Sequence, residues 1–436
     1  MLGSLLVVAA AFAPGVPPVE ARPGRAIVEL RVDTVPDAYL EEPDQQRARI
    51  VQAQDEFLGK LGKRLDDERV TRFQTVPYLA MELTQEDLEE LAALRTDREG
   101  WVLLDGADGL GVQLEPEFLL GPSQGTACYE WGETLEAASA RVRGNTSADG
   151  DGWILVFIDT GVDPAFEPFF EGQVIGGGAF TSTEGEYAMA SPAGSPVVEG
   201  VAHGTTVATV AAGELGVAPK VSIVSLRVTG KGGIAREADV VKALENVYYF
   251  WRDGTRKIAA VCIALNETID ISKKSIGGYS CRRKCSYIGS ALLPVINNLD
   301  LAGIPVVVSA GNDGYDDRVT FPACIGPVFT VGASETNFPE EGYRVLSSSN
   351  WGCLVDATAP GGRICLVEKS VTGMGTSLSA GLTAGAIALL RDAMPGRSHH
   401  DILLALKESG PLREHAGYAC RDINVESALE WLKANP

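Results

Sequence analysis

The sequence has no long apolar run. No stretch of its 436 residues approaches the roughly 20 apolar residues that a membrane-spanning helix requires. Basic charge is also scarce. Lys and Arg number 37 against 58 Asp and Glu, a net charge of −21. That balance works against nucleic-acid binding and against docking on anionic lipid, both of which need basic surface. It suits a chain that repels its own copies, so a monomer is expected. Histidine is rare, at four residues. The single CxxxC, Cys281 with Cys285, has no second paired cluster and no histidine close to it in sequence, so a zinc module is not indicated. The Gly-rich stretches Gly176–Gly178 and Gly230–Gly233 lack the strand and helix context of a nucleotide site and read as loops. No EF-hand pattern occurs.

What is present fits a globular protein. Apolar residues make up 45% and charged residues 22%, which excludes a disordered or collagen-like chain. The length predicts two or three domains. An apolar run from Leu5 to Ala13, then Pro-rich sequence and Val19-Glu20-Ala21, reads as a secretory signal peptide over residues 1–21. Export and eight cysteines together predict disulfides, with Cys281 and Cys285 the easiest local pair.

Two patterns divide the rest. Residues 22–115 read β-α-β-β-α-β, a small ferredoxin-like α+β domain. Its strands are expected at 26–32, 69–74, 78–83 and 101–104, and its helices at 44–64 and from Thr84 to about Leu94. Thr84 and Asp87 form the second helix's capping box. Residues 116–150 read as linker and the start of a second region. From 151 to 436, near-continuous apolar strands (153–158, 221–228, 258–265, 304–310, 328–333) alternate with helices (204–213, 235–251, 286–302, 378–393, 399–409). That alternation predicts an α/β fold, a doubly wound parallel sheet flanked by helices. Such sheets carry their sites beyond the carboxyl ends of the strands.

Four motifs fall at such positions. The strand 153–158 runs into Asp159-Thr160-Gly161, where a carboxylate needs a partner or caps a turn. His203-Gly204-Thr205 opens a small-residue helix. Asn312 follows the strand 304–310 in Ala310-Gly311-Asn312, either as a turn residue or as an amide donor to an oxyanion. Ser377 opens a helix in Gly375-Thr376-Ser377-Leu378-Ser379-Ala380, either as a cap or as a nucleophile at the positive end of the helix.

With these flanks, the order Asp, His, Asn, Ser resembles the subtilisin-like serine proteases. Asn350-Trp351-Gly352 and Ala359-Pro360-Gly361 match further stretches of that family. The resemblance covers about residues 125–436. It implies an autoprocessed serine endopeptidase acting on polypeptides, secreted or periplasmic, with Asp159, His203 and Ser377 as triad and Asn312 in the oxyanion hole. It also implies that residues 22–115 are an inhibitory propeptide, cut off within about 110–125. The chemistry needs no cofactor. Structural calcium is common in the family, and the loop acids Asp163, Asp313, Asp316 and Asp317 are candidates without an assignable ligand set.

Three departures stand out. Gly381 replaces the family's Pro and is expected to loosen the early helix. Thr206 replaces a second His. The substrate strand reads Ala264-Leu265-Asn266-Glu267-Thr268 in place of Ser-Leu-Gly-Gly. This is expected to reshape the pocket, and Glu267 would favour a basic residue there or simply face solvent. The altered strand also keeps open an alternative, a catalytically impaired module that binds peptides or partners. Asn266 and Asn145 both begin glycosylation sequons, and sugar on Asn266 would obstruct a cleft.

Overall fold

The structure is a computed structural model. It describes residues 24–30, 43–62, 70–76, 78–84, 86–87, 101–104, 108–111, 133–163, 170, 172–181, 186–190, 203–230, 234–251, 256–267, 290–336, 343–367 and 371–436. The chain divides into two compact units, Met1–Asp108 with Ile288–Val295, and Gly109–Tyr287 with Ile296–Pro436. The expected signal peptide and the loop pair Cys281 and Cys285 lie outside the described residues, as do Cys128 and most of the helix expected after Thr84.

The first unit holds β1 (Gly24–Leu30), α1 (Pro43–Lys60), β2 (Val70–Arg72), β3 (Tyr78–Leu83) and β4 (Trp101–Leu104). Its sheet is antiparallel in the order β2-β3-β1-β4, with Ile27 opposite both Ala80 and Leu104. Helix α1 buries Ile50, Phe57 and Leu58, one face of a helix by their spacing. The buried Gln54 donates to the carbonyl of Phe73 and accepts from Arg72 Nε, which ties α1 to the end of β2. Thr84 and Asp87 form the expected reciprocal capping pair, with Asp87 N–H donating to Thr84 Oγ1 and Thr84 N–H to Asp87 Oδ2.

The second unit begins beyond Asp108. Its elements are the body of β5 (Asp108–Gly111), β6 (Glu133–Thr134), α2 (Leu135–Arg143), β7 (Ile154–Asp159), β8 (Val174–Thr181), β9 (Glu186–Ala190), α3 (His203–Ala212), β10 (Ser222–Arg227), β11 (Ile234–Arg236), α4 (Glu237–Trp251), β12 (Ile258–Ile263), β13 (Asn266–Glu267), α5 (Leu292–Leu301), β14 (Val306–Ser309), β15 (Phe329–Thr336), β16 (Tyr343–Val345), β17 (Ala357–Pro360), β18 (Ile364–Val367), β19 (Val371–Gly373), α6 (Thr376–Ala393), α7 (His399–Glu408), β20 (Leu412–His415), β21 (Tyr418–Asp422) and α8 (Val425–Ala434). The main sheet runs β20-β21-β17-β15-β14-β12-β7-β10-β8-β9, with β16 added to β15.

From β8 to β21 every pairing is parallel; β9, β16 and β20 are antiparallel additions. Strand β7 is buried along its whole length, as its run Ile-Leu-Val-Phe-Ile demands. The register carries the functional consequence. Ile158, Ile263 and Val308 lie in one row across β7, β12 and β14. The next residues, Asp159, Ala264 and Ser309, therefore leave the sheet side by side.

Helix α2 lies within the segment 116–150, where the second region was expected to start. Leu135, Ala138, Ser139 and Val142 are buried at helical spacing, and Thr134 caps the helix by accepting from the N–H of Ala137. Gly176–Gly178 are not a loop. They form part of β8 and pair with Val224–Leu226 of β10, so ladder hydrogen bonds override a poor local strand propensity.

Cys324, Cys353 and Cys365 are disulfide-bonded, whereas Cys262 and Cys420 are free thiols. Among the described residues no helix is long and apolar enough to cross a membrane.

Candidate active site

Asp159 ends β7 and is 2% exposed. A carboxylate so buried needs hydrogen-bond partners. Its Oδ1 receives the N–H of Thr160 at 2.6 Å and lies 2.8 Å from His203 Nδ1. His203, 1% exposed, is the first residue of α3. Because Asp159 takes Nδ1, the imidazole turns Nε2 away from the carboxylate. Thr160 Oγ1 accepts from Gly204 N–H at 2.9 Å and so pins the start of α3 to the end of β7. Glycine is required at 204, since a Cβ there would stand 2.5 Å from Gly161 O and 3.0 Å from the Asp159 side chain.

Helix α6 packs along α3 through two glycines. A Cβ at Gly381 would stand 2.6 Å from the carbonyl of Val207, and one at Gly385 would stand 2.7 Å from that of Ala211. Both helices advance by one turn between these contacts, so they run in the same direction and in step. One turn earlier, Ser377 comes level with His203. The helix α6 is continuous from Thr376, so Gly381 does not loosen it as expected. The residue provides the close helix contact instead.

Ser377 is buried, and its Oγ donates to the carbonyl of Ala264 at 3.4 Å. Its N–H belongs to the first turn of α6, where N–H groups have no intrahelical partner. Asn312 stands beside it. Asn312 Oδ1 accepts from both the N–H and the hydroxyl of Thr376, each at 2.9 Å. Those two donors identify the oxygen end of the carboxamide and leave the NH2 as its other end. Gly375, at φ +113°, lets this group lie close, since a Cβ there would be 3.0 Å from Asn312 Nδ2. The buried Asn350 braces the loop that carries Asn312. It accepts from the N–H groups of Asp313 and Tyr315 and donates to the carbonyl of Ala310.

Of the three predicted substrate-strand residues, all are buried: Ala264, Leu265 and Asn266. Asn266 donates to the carbonyl of Ser309 and accepts its hydroxyl, each at 2.8 Å. This clamp ties the end of β12 to the end of β14 and leaves no room for sugar on Asn266. The other sequon residue, Asn145, donates its amide to Glu426. Backbone, not side chain, is what this segment offers. Strand β13 pairs antiparallel with β5, with Asn266 opposite Gly111 and Glu267 opposite Leu110. Residues 109–111 lie between β11 and β13. The side chain of Glu267 lies outside the described residues.

Sequence reasoning located Asp159, His203, Asn312 and Ser377, and the structure brings them to one end of the sheet. It missed Thr160, Thr376 and Ser309, ordinary hydroxyl residues whose only signal was adjacency to a motif. Three of the acids named for calcium have side-chain partners within the protein. Asp313 accepts from Asn350 Nδ2, Asp316 pairs with His415, and Asp317 pairs with Arg318.

A parallel sheet with a buried Asp–His pair, and a helix-start serine level with it, is a subtilisin-like arrangement. The comparisons with known proteins agree. The sequence profile described as the Subtilase family matches residues 150–417, more than half of the chain. This chain belongs to the subtilase family. Alkaline elastase YaB of Bacillus sp. is 27% identical over 371 residues, 82% of this chain and 80% of the elastase. Subtilisin DY of Bacillus licheniformis is 29% identical, over 63% of this chain and 89% of the subtilisin. The subtilase-type proteinase psp3 of Schizosaccharomyces pombe is 28% identical, and the chain spans about half of that relative's length, 50%. Among solved structures, fervidolysin from Fervidobacterium pennivorans shares the fold with a TM-score of 0.64 at 18% identity, over 93% of this chain and 61% of fervidolysin.

Proposed function

We propose that the chain is a serine endopeptidase, exported as a zymogen, that hydrolyses peptide bonds by Asp159, His203 and Ser377. The carrying observation is the in-step packing of α3 and α6, which supports Ser377 standing level with the imidazole that Asp159 orients. On this reading His203 Nε2 takes the Ser377 proton as Oγ attacks the substrate carbonyl, then returns it to the leaving amine. Asp159 holds the tautomer and stabilises the imidazolium. Asn312 Nδ2 and the Ser377 N–H receive the oxyanion, with the positive end of α6 behind them. Water then gives a proton to His203 Nε2 and attacks the acyl carbon, and that proton returns to Ser377 Oγ as the carboxylic acid leaves. Every step uses a group of the chain itself, and the enzyme acts as a monomer.

The pairing of β5 supports self-processing. Residues 110–111 lie against β13 as an extended substrate would, by backbone hydrogen bonds. From β13 the chain leads back to Ala264, whose carbonyl takes the Ser377 hydroxyl. We place the cut after β5, within about residues 110–125, with the residues from 22 to that bond as the propeptide. An impaired binding module would have no need of the Asp159–His203 pair that the chain keeps. A serine-reactive phosphonate should label the mature protein at Ser377 and abolish its hydrolysis of casein. Folded mature protein that neither labels nor cleaves would sink the proposal.

A further inference from the structure

We propose that Asp300, His399 and His400 form a site for a divalent transition-metal ion of the zinc class, clamping the last turn of α5 to the first turn of α7. This cluster is separate from the active-site residues, and the proposed peptidase reading makes no use of it. Asp300 Oδ1 lies 2.9 Å from His399 Nε2 and 3.2 Å from His400 Nε2. One ligand atom from each residue lies within 4.8 Å of the other two. The two imidazoles are held together, with ring centroids 3.8 Å apart. Among the described residues no other such group of three occurs.

These separations suit a metal. Donors bound at about 2.0–2.1 Å to a tetrahedral ion lie roughly 3.3 Å apart, so both measured distances already approach the edge of such a site. Two imidazole nitrogens and one carboxylate oxygen favour zinc, nickel or copper over calcium or magnesium. An entering ion replaces the hydrogen bonds to Oδ1. Each ring then carries its proton on Nδ1 and presents the Nε2 lone pair. His399 is nearly buried and supplies a rigid ligand; His400 is 67% exposed and supplies the entry path. Three protein ligands leave a fourth position for water.

Charge around the site is balanced. The positive end of α7 and the nearby Arg391 oppose a cation. Asp300 and the first-turn Asp401, which completes the α7 capping box with Ser398, offset them. The ion would act on stability. Helix α5 runs through the turn at Gly303 into β14, which leads to Ser309 and Asn312, so tying α5 to α7 braces the support of that loop.

The test uses the full-length Ser377→Ala chain, which cannot digest itself, at pH 7.5. Cobalt(II) should bind one ion per chain with intense visible absorption of a tetrahedral nitrogen–oxygen site, and zinc should displace it. Zinc at about 100 times its Kd should raise Tm by roughly 3–6 °C. Adding His400→Ala, an exposed position that leaves the fold intact, should weaken cobalt binding at least tenfold and abolish the Tm shift. His415→Ala, at the exposed pair with Asp316, should change neither. An absent spectrum, or a spectrum and shift that survive His400→Ala, would overturn the proposal. Dependence on His415 instead would do the same.

Discussion

Two carboxylate–imidazole pairs in this protein have almost the same length. Asp159 lies 2.8 Å from His203 and Asp300 lies 2.9 Å from His399. Their settings differ. The first pair is sealed at the end of the central sheet and uses Nδ1, so Nε2 is directed away from the carboxylate. A helix-start serine lies level with the ring. The second pair spans two helix ends, uses Nε2, and has another histidine as its neighbour. An Asp–His hydrogen bond therefore does not by itself define a proton-transfer site. Which ring nitrogen the carboxylate takes, and what the other one faces, decides the chemistry.

The sharpest way to break this contrast is to remove one histidine from each pair. His203→Ala or Ser377→Ala should lower kcat by roughly 10⁶, the scale known for subtilisin when its serine or histidine is lost. Without added metal, His399→Ala should leave kcat/KM within about threefold and appear instead as a loss of about 1–3 kcal/mol in denaturant unfolding. Equal kinetic damage from both would contradict the assignment.

Next in size is Asn312→Ala. It should reduce kcat by about 10²–10³ with KM little changed, again the range established for such a donor in subtilisin. Thr376→Val removes one of the two donors that hold the Asn312 oxygen and should cost roughly 10–10²-fold through misplacement. Steady-state kinetics on one peptide series separates the two effects.

Gly381→Ala probes the helix contact that places Ser377. Its Cβ would meet the Val207 carbonyl at 2.6 Å. Overpacking of this kind should cost about 1–3 kcal/mol, read from urea unfolding in the Ser377→Ala background. The smallest effect concerns the thiols. Burial pushes Cys420 up to about 12, and Cys262 further still, helped by the charge of Asp159. Both should resist iodoacetamide at pH 8 in the folded protein and react on unfolding, and peptide mapping reads each one. Cys420 should label faster as pH rises toward 12.

Much of the site was legible because its signals are local. A short run of apolar residues ending in Asp159 reads as a buried strand end, and Gly375-Thr376-Ser377 before a small-residue helix marks a helix start. Capping pairs such as Thr84 with Asp87 were legible for the same reason. What sequence could not show depends on pairing at a distance. Gly176–Gly178 became a strand only because β10 supplies the ladder. Gly381 looked like a weak point until the Val207 carbonyl appeared against it. Asp300 and His399 lie in separate helices, and no periodicity connects them. The substrate-like pairing of Leu110 and Gly111 was hidden because a Gly- and Asp-rich segment carries no strand pattern of its own.

The central claim is that Ser377 is a working nucleophile aimed by His203 at a bound strand. Intact-mass measurement of the purified wild-type chain beside Ser377→Ala tests it most directly. The account predicts wild-type protein beginning within about residues 110–125 and a mutant that retains the residues before that point. Two folded proteins that both keep those residues, or that are both trimmed at the same bond, would contradict it.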